Sequence, residues 1–455
     1  MSLDVQRYMQ NVPEMDRFLT VYELSADLAA IAQKHPEIAC WRRVGSSQLG
    51  EPIHMLSFGK GDRNILLFAC PHPNEPIGAM MVHHLAHLLV EDAGLREGLG
   101  FTWNMIACVD PDGTRLNEGW FNGPFTVTNY ARNFYRPAGD NQVEWTFPHN
   151  YKTNYYDRTL PESQMLMRVI DELKPELMGS LHNAGFGGVY YYISREIPEL
   201  WSTFHQLPEW EELPLKLGEP EVPYAVEYAP AIFEMLGTSE TYDYLEAHGS
   251  DMSTFSSGGS SDEYASRYGT LTLVTEMAYF DDPRVNDQTV MDTNRRDAIL
   301  EGMDKADATA DFVNEILTAV KDDLRTKSSF EVAVTWFNKM HSQHKDAERH
   351  WASTDPATDR PATVAEIFSS NQESRFYRLL SLGMLVRMLE GEVAVGNGTP
   401  TIRQNLLKAR NAFDEWSAEL EGELQMRVVP IRKLVAVQLG AILATAEHLA
   451  ANSRV

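Results

Sequence analysis

The chain has 455 residues, 43% hydrophobic and 23% charged, a globular composition with room for two or three domains. Lys and Arg number 39 against 65 Asp and Glu, a net charge of -26, which repels phosphate backbones and anionic lipid and argues against nucleic-acid or membrane partners. Cys40, Cys70 and Cys108 are too few and too scattered for a disulfide framework or a thiolate zinc site.

The N-terminus, Met1-Ser2-Leu3-Asp4, has neither a basic n-region nor an apolar h-region, and no run approaches ~20 apolar residues. No leader or membrane span is therefore expected, and a cytoplasmic location is. Thr20 and Glu23 form a capping box for a helix with Leu24, Leu28 and Ile31 on one face, stopped by Pro36. Arg43-Val44, Ile53 to Phe58 and Asn64 to Ala69 read as strands, with Gly59-Lys60-Gly61-Asp62 as a turn. Ile77 to Leu89 reads as a helix and Phe101 to Val109 as the next strand. This β-α-β succession predicts a mixed, largely parallel sheet flanked by helices, an α/β fold.

Residues 110–160 are rich in Asn, Gly, Pro, Tyr and Arg, and a loop region of that length is usually functional. Glu162 to Leu173 reads as helix, Leu177 to Leu181 as a strand ending at His182, and Glu240 to Asp251 as an acidic helix. Leu271 to Val274 reads as a strand that ends at Glu276. Beyond about residue 325 strand patterns stop. Phe330 to His350, Ala362 to Leu389, Ile402 to Glu421 and Val428 to Leu449 read as amphipathic helices. The expected division is a catalytic domain, 1–325, and an appended all-α helical bundle, 326–455, which is a candidate dimerisation element.

Strand ends carry the chemistry. His72 and Glu75, three apart after a buried strand, can turn an imidazole and a carboxylate toward one point, as zinc requires of two ligands. His182 closes another apolar strand and opens the Gly-rich loop Asn183 to Gly188. Glu276 closes a third, where a buried charge is expensive unless something uses it. The bland readings are a polar loop residue, a strand-edge histidine and a glutamate reaching solvent. His83 and His87 are four apart on a helix, but no H-E-x-x-H glutamate lies between them, and a partly buried helix face accounts for them. His341 and His344 read as solvated.

These residues resemble the zinc carboxypeptidases of the carboxypeptidase A type. The H-x-x-E motif appears as His72-Pro73-Asn74-Glu75, N-P-D-G as Asp110-Pro111-Asp112-Gly113, and the arginine motif as Asn129-Tyr130-Ala131-Arg132-Asn133-Phe134. The P-E helix start appears as Pro161-Glu162, and S-G-G-S-x-D as Ser257-Gly258-Gly259-Ser260-Ser261-Asp262, with Glu276 14 residues after Asp262. Seven motifs in order cover roughly residues 20–320 and leave the helical tail out.

The resemblance implies one Zn2+ per catalytic domain, held by His72, Glu75 and His182, with Glu276 as the general base. It implies that Arg132 pairs with a substrate carboxylate and that an arginine steadies the oxyanion, with Arg115 as candidate and Arg136 as the alternative. Asn133, Thr254 and Ser261 complete the substrate-facing positions. Ala131 replaces the family's carboxylate-binding Asn, Thr254 stands where the family has a mobile Tyr, and Ser261 promises neither a basic nor an apolar side-chain preference. The expected function is zinc-dependent hydrolysis of an amide bond in a peptide or peptide-like substrate with a free carboxylate. Alternatives are a deacylase or amidase of an N-acyl amino acid or cell-wall-type peptide, and a non-catalytic binding module.

Overall fold

The computed structural model describes residues 3–452. Among them the largest sheet has nine strands: β1 (Ala39–Ser46), β2 (Pro52–Phe58), β3 (Arg63–Ala69), β4 (Phe101–Ile106), β5 (Leu177–Leu181), β6 (Tyr190–Ile193), β7 (Glu227–Ala229), β8 (Ile232–Glu234) and β9 (Leu271–Glu276). Their spatial order is β1-β2-β4-β3-β5-β9-β6-β8-β7. The central block β4-β3-β5-β9 is parallel, as is β6-β8, and the remaining joins are antiparallel. The chain thus has the expected mixed sheet flanked by helices, parallel at its centre.

β5 and β9 are buried along their whole length, which requires cover on both sheet faces. The helices that supply it are α1 (Val5–Gln10), α2 (Val21–Lys34), α3 (Ile77–Glu91), α4 (Val127–Asn133), α5 (Pro161–Leu173), α6 (Pro198–Trp210) and the short α7 (Ser261–Ala265). Alternation along β3 divides the core. Leu66 and Phe68 point to Met165, Leu166, Val169 and Ile170 of α5, while Ile65 and Leu67 join the larger cluster with α3.

The helical region is placed differently from the expectation. It begins with α8 (Arg295–Val320), α9 (Ser329–Thr354), α10 (Ser374–Ala394) and α11 (Pro400–Glu423), so it starts before residue 325. It ends with α12 (Ile431–Ala451), which returns to the sheet and packs on α1, α3, α6, β5 and β9. The C-terminal helical region thus closes with a helix that covers the sheet. One hydrophobic core runs from Leu67 through Leu439 to Leu385 and Phe413. α12 is not amphipathic as expected: Leu434 to Ala446 is buried all round, the mark of a core helix. It is long and apolar enough to cross a membrane, contrary to the sequence reading, and it is mostly buried inside the molecule.

The bundle also docks on α4. A Cβ on Gly383 of α10 would stand 2.0 Å from the Ala131 carbonyl oxygen, so only glycine permits this approach. Arg387, one helical turn on, donates to the carbonyls of Asn133 (2.7 Å), Phe134 (3.0 Å) and Leu116 (2.9 Å).

Burying one large apolar side chain contributes about 1.5–3 kcal/mol. α12 buries Leu434, Val435, Val437, Leu439, Ile442 and Leu443, which together match the whole stability of an ordinary domain, about 5–15 kcal/mol. A chain ended at residue 325 should therefore show no cooperative thermal transition by circular dichroism. A retained sharp transition would support the appended-bundle view.

Candidate active site

Three parallel strand ends build the site. β3 and β5 are in register through Ala69 and Leu181, and β5 and β9 through Gly179 and Leu273. The residues just past β3 and β5 and the last residue of β9 therefore emerge at one edge. After β3, Cys70 takes a left-handed conformation (φ 53°), an uncommon choice for a side-chain-bearing residue that turns the chain sharply. Pro71, Pro73 and Pro76 stiffen the turn that follows, and the Glu75 N–H donates to the His72 carbonyl at 3.1 Å.

That turn is tied to β5. The Ile77 N–H donates to Asn183 Oδ1 at 3.2 Å, and Tyr279 donates to the Asn74 carbonyl at 2.9 Å. A Cβ on Gly78 would meet the Leu181 Cβ at 2.5 Å, so glycine in the first turn of α3 sets how closely His72 and Glu75 approach His182.

His72 Nδ1 lies 3.2 Å from each Glu75 carboxylate oxygen, 3.1 Å from His182 Nδ1, and His182 Nδ1 lies 3.0 Å from Glu75 Oε2. All three side chains are buried. Donors on a tetrahedral zinc with bonds of 2.0–2.1 Å stand about 3.3 Å apart, so this triangle fits the ion. Two imidazole nitrogens facing each other at that distance also need a proton or a cation between their lone pairs. Glu276 Oε1 is 4.0 Å from His182 Nδ1. Glu276 Oε2 and His72 Nε2 have no hydrogen-bond partner among the described residues.

The ring of His182 is held from behind. Its Nε2–H donates to Ser180 Oγ at 2.9 Å, and Ser180 Oγ donates to Glu144 Oε1 at 3.0 Å. Glu144 also accepts from Ser261 Oγ at 2.9 Å and from the Ser261 N–H at 3.3 Å. This fixes the tautomer that leaves Nδ1 free to ligate. From the opposite side, Gln438 of α12 donates to the His182 carbonyl at 2.9 Å.

The electrostatics follow from burial without water. Burial, then the Arg136 charge, pushes His72 down to about 4. Burial resists ionisation of Glu75, but His72, His182 and Arg136 outweigh it and hold the carboxyl below its ordinary range. Burial also opposes protonation of His182. Glu144, Glu75 and Glu276 overcome that and raise His182 to about 10. Burial drives Glu276 well above a normal carboxyl, and the charges of Glu75 and Glu221 add to it.

Glu221 leads outward from the site. It accepts from the Tyr190 and Tyr192 hydroxyls at 2.6 and 2.9 Å. It lines a cavity of about 460 Å³ together with Lys216 and residues of the helical region that include Glu373 and Tyr377. Lys216 and Glu373 form a buried ion pair.

The structure brings His72, Glu75, His182 and Glu276 together. Arg136 joins them, its Nη1 donating to Glu75 Oε1 at 3.0 Å. The other two arginines are engaged elsewhere. Arg115 is exposed and pairs with Glu51 at 3.2 Å. Arg132, expected to grip a substrate carboxylate, pairs with Glu390 of α10, which also takes Arg410. The reason is the docking of α10 on α4, which turns this part of the arginine motif toward the bundle. Asn133 bonds back to Asn129 within its own helix. Ser261 is buried beneath the site against Glu144. Thr254 ends the turn Met252–Thr254, and its side chain lies outside the described residues.

Sequence reasoning missed Glu144 and Gln438. Each had a signal: an acidic residue bracketed by Val143, Trp145 and Phe147 in the long loop, and a lone polar residue inside an apolar helix.

His182 must lose the proton that its carboxylate neighbours stabilise before Nδ1 can ligate a cation. Zinc uptake at pH 7 should therefore release at least about one proton per ion. Calorimetry in buffers of different ionisation enthalpy measures this number, and a value near zero would contradict the charge balance described above.

None of the curated proteins compared with the chain matches it. Solved structures resemble it at low identity. A metallo-carboxypeptidase from Burkholderia cenocepacia is 16% identical with a TM-score of 0.35, over 57% of this chain and 60% of that one. The match thus spans about three fifths of that protein's length. A carboxypeptidase A from Helicoverpa armigera is 13% identical with a TM-score of 0.37, over 75% of each chain. A murein-tripeptide amidase from Escherichia coli O157 is 16% identical with a TM-score of 0.27, over 52% of this chain and 82% of that one. The family model described as zinc carboxypeptidase matches residues 24–282, more than half of the chain and the whole of the strand-end site. The chain belongs to the zinc carboxypeptidase family of hydrolases.

Proposed function

We propose that the protein is a zinc-dependent hydrolase that cleaves an amide bond in a peptide or peptide-like substrate bearing a free carboxylate. The observation that carries this reading is the convergence of His72, Glu75 and His182 on one point with the Glu276 carboxylate 4.0 Å from His182 Nδ1. A zinc ion held by His72, Glu75 and His182 supplies Lewis-acid polarisation of the scissile carbonyl and of the attacking water.

The residues of the chain do the rest. Glu276 has one carboxylate oxygen unpartnered in a buried site, so it can take a proton from the water and deliver it to the leaving nitrogen. Its raised proton affinity suits both halves of that exchange. Glu144 and Ser180 keep the His182 ring from turning. Arg136 has further guanidinium N–H groups beyond the one on Glu75, and these can receive a substrate carboxylate or the oxygen that gains charge.

A second reading keeps the metal site and changes the substrate to an N-acyl amino acid or a cell-wall-type peptide. Two observations favour it. Arg132 is committed to Glu390, and the cavity beside Glu221 is lined by groups of both signs, among them the Lys216–Glu373 pair and Arg349 with Asp307. Such a wall suits a substrate with amino and carboxylate groups.

Glu276→Gln should retain zinc and lose about 10²–10⁴-fold in kcat, measured on a panel of C-terminal peptides and N-acyl amino acids. Full activity in that variant would sink the proton-shuttle role. Arg136→Ala should lower kcat/KM about 10–100-fold for a free-acid peptide, the loss of a charge-assisted contact. The same peptide blocked as its amide should change much less. Equal losses on both would move Arg136 from carboxylate recognition to support of Glu75 or the oxyanion.

A further inference from the structure

A second cluster of ligating side chains lies away from the strand ends. His83 and His87 sit one turn apart on α3, and the sequence, with no H-E-x-x-H glutamate between them, reads them as a partly buried helix face. The fold supplies a third donor. Asp27 of α2, 56 residues before His83, places Oδ2 2.7 Å from His83 Nε2 and 2.9 Å from His87 Nε2. The two rings meet edge to face at 4.9 Å between centroids. The three donor atoms lie within 4.8 Å of one another.

We propose that Asp27, His83 and His87 form a second site for a divalent transition ion of the zinc class, separate from the catalytic one. Two imidazoles and one carboxylate select zinc, nickel or copper over magnesium and calcium, which require oxygen ligands. Spacing of i and i+4 puts both imidazoles on one face of a rigid helix, so the donors converge, and an ion between them needs Asp27 only to draw back from hydrogen-bond distance. The cluster is half open: His87 and Asp27 are each 46% exposed, which leaves room for water in the remaining coordination positions. Burial lowers His83 below its usual range, so that its ring is neutral and ready to ligate at neutral pH. Hydrogen bonds from both rings to one carboxylate oxygen hold the same geometry without an ion, which makes occupancy a matter for measurement.

The position gives the ion a consequence. α3 starts at Ile77, two residues after the ligand Glu75, and His83 lies about 9 Å along its axis. An ion here joins α2 to the helix that leaves the catalytic motif, and so stiffens the support of His72 and Glu75.

The full chain, stripped by chelation and titrated with zinc, should bind two ions by equilibrium dialysis and metal analysis. His87→Ala should bind one, at the strand-end site. His72→Ala, which removes a catalytic ligand, should also keep one, so loss of the catalytic reading and loss of this one give different patterns. Asp27→Asn retains an acceptor for both rings and should weaken the second site at least about tenfold. Nickel should raise the melting temperature of His72→Ala and leave that of the His72→Ala/His87→Ala double variant unchanged. A single ion in the unmodified chain, or two in His87→Ala, would overturn the proposal.

Discussion

Glu75, Glu144 and Glu276 are each less than a tenth exposed, and all three carboxylates act on His182. Carboxylates removed from water at such proximity repel one another strongly, and each loses several kcal/mol of hydration. A proton held by Glu276 and positive charge at their centre both relieve that repulsion. Arg136 supplies part of that charge at Glu75, a proton on His182 supplies more, and a divalent ion at the donor triangle meets the rest. The burial pattern thus favours a cation at the point where His72, Glu75 and His182 converge.

Holding those charges together falls to apolar and backbone contacts. Gly78 lets the first turn of α3 rest on Leu181, and Gln438 grips the carbonyl of His182 from the last helix of the chain. Register between β3, β5 and β9 sets the ligand spacing, so the site depends on a core reaching from Leu67 to Leu439. The bundle helices line part of the cavity beside Glu221 and pair Arg132 with Glu390. They alter the surroundings of the metal chemistry while leaving its residues in place.

The legible part of this design was local. His72 and Glu75 follow an apolar strand within six residues, and His182 and Glu276 each stand at the end of a run that could be read as a buried strand. Patterns of that kind survive without knowledge of the fold, because strand burial and strand termini are short-range signals. Arg132 stood out as a motif residue, but its pairing with Glu390 was not legible, since Glu390 lies 258 residues away on a helix whose docking depends on one glycine. The same distance hid the role of Gln438. Asp27 was invisible beside His83 for the same reason.

By itself, then, the sequence determined the chemistry on offer: the residue types, their spacing after strands, and the order of motifs that marks the family. Tertiary structure alone decided which arginine reaches the ligands, where the helical region enters the fold, and that the final apolar helix is core. The physical reason is range. Periodicity and turn chemistry act over a few residues, whereas ion pairs, second contacts to a ligand and helix docking are settled by surfaces that meet only after the chain has folded.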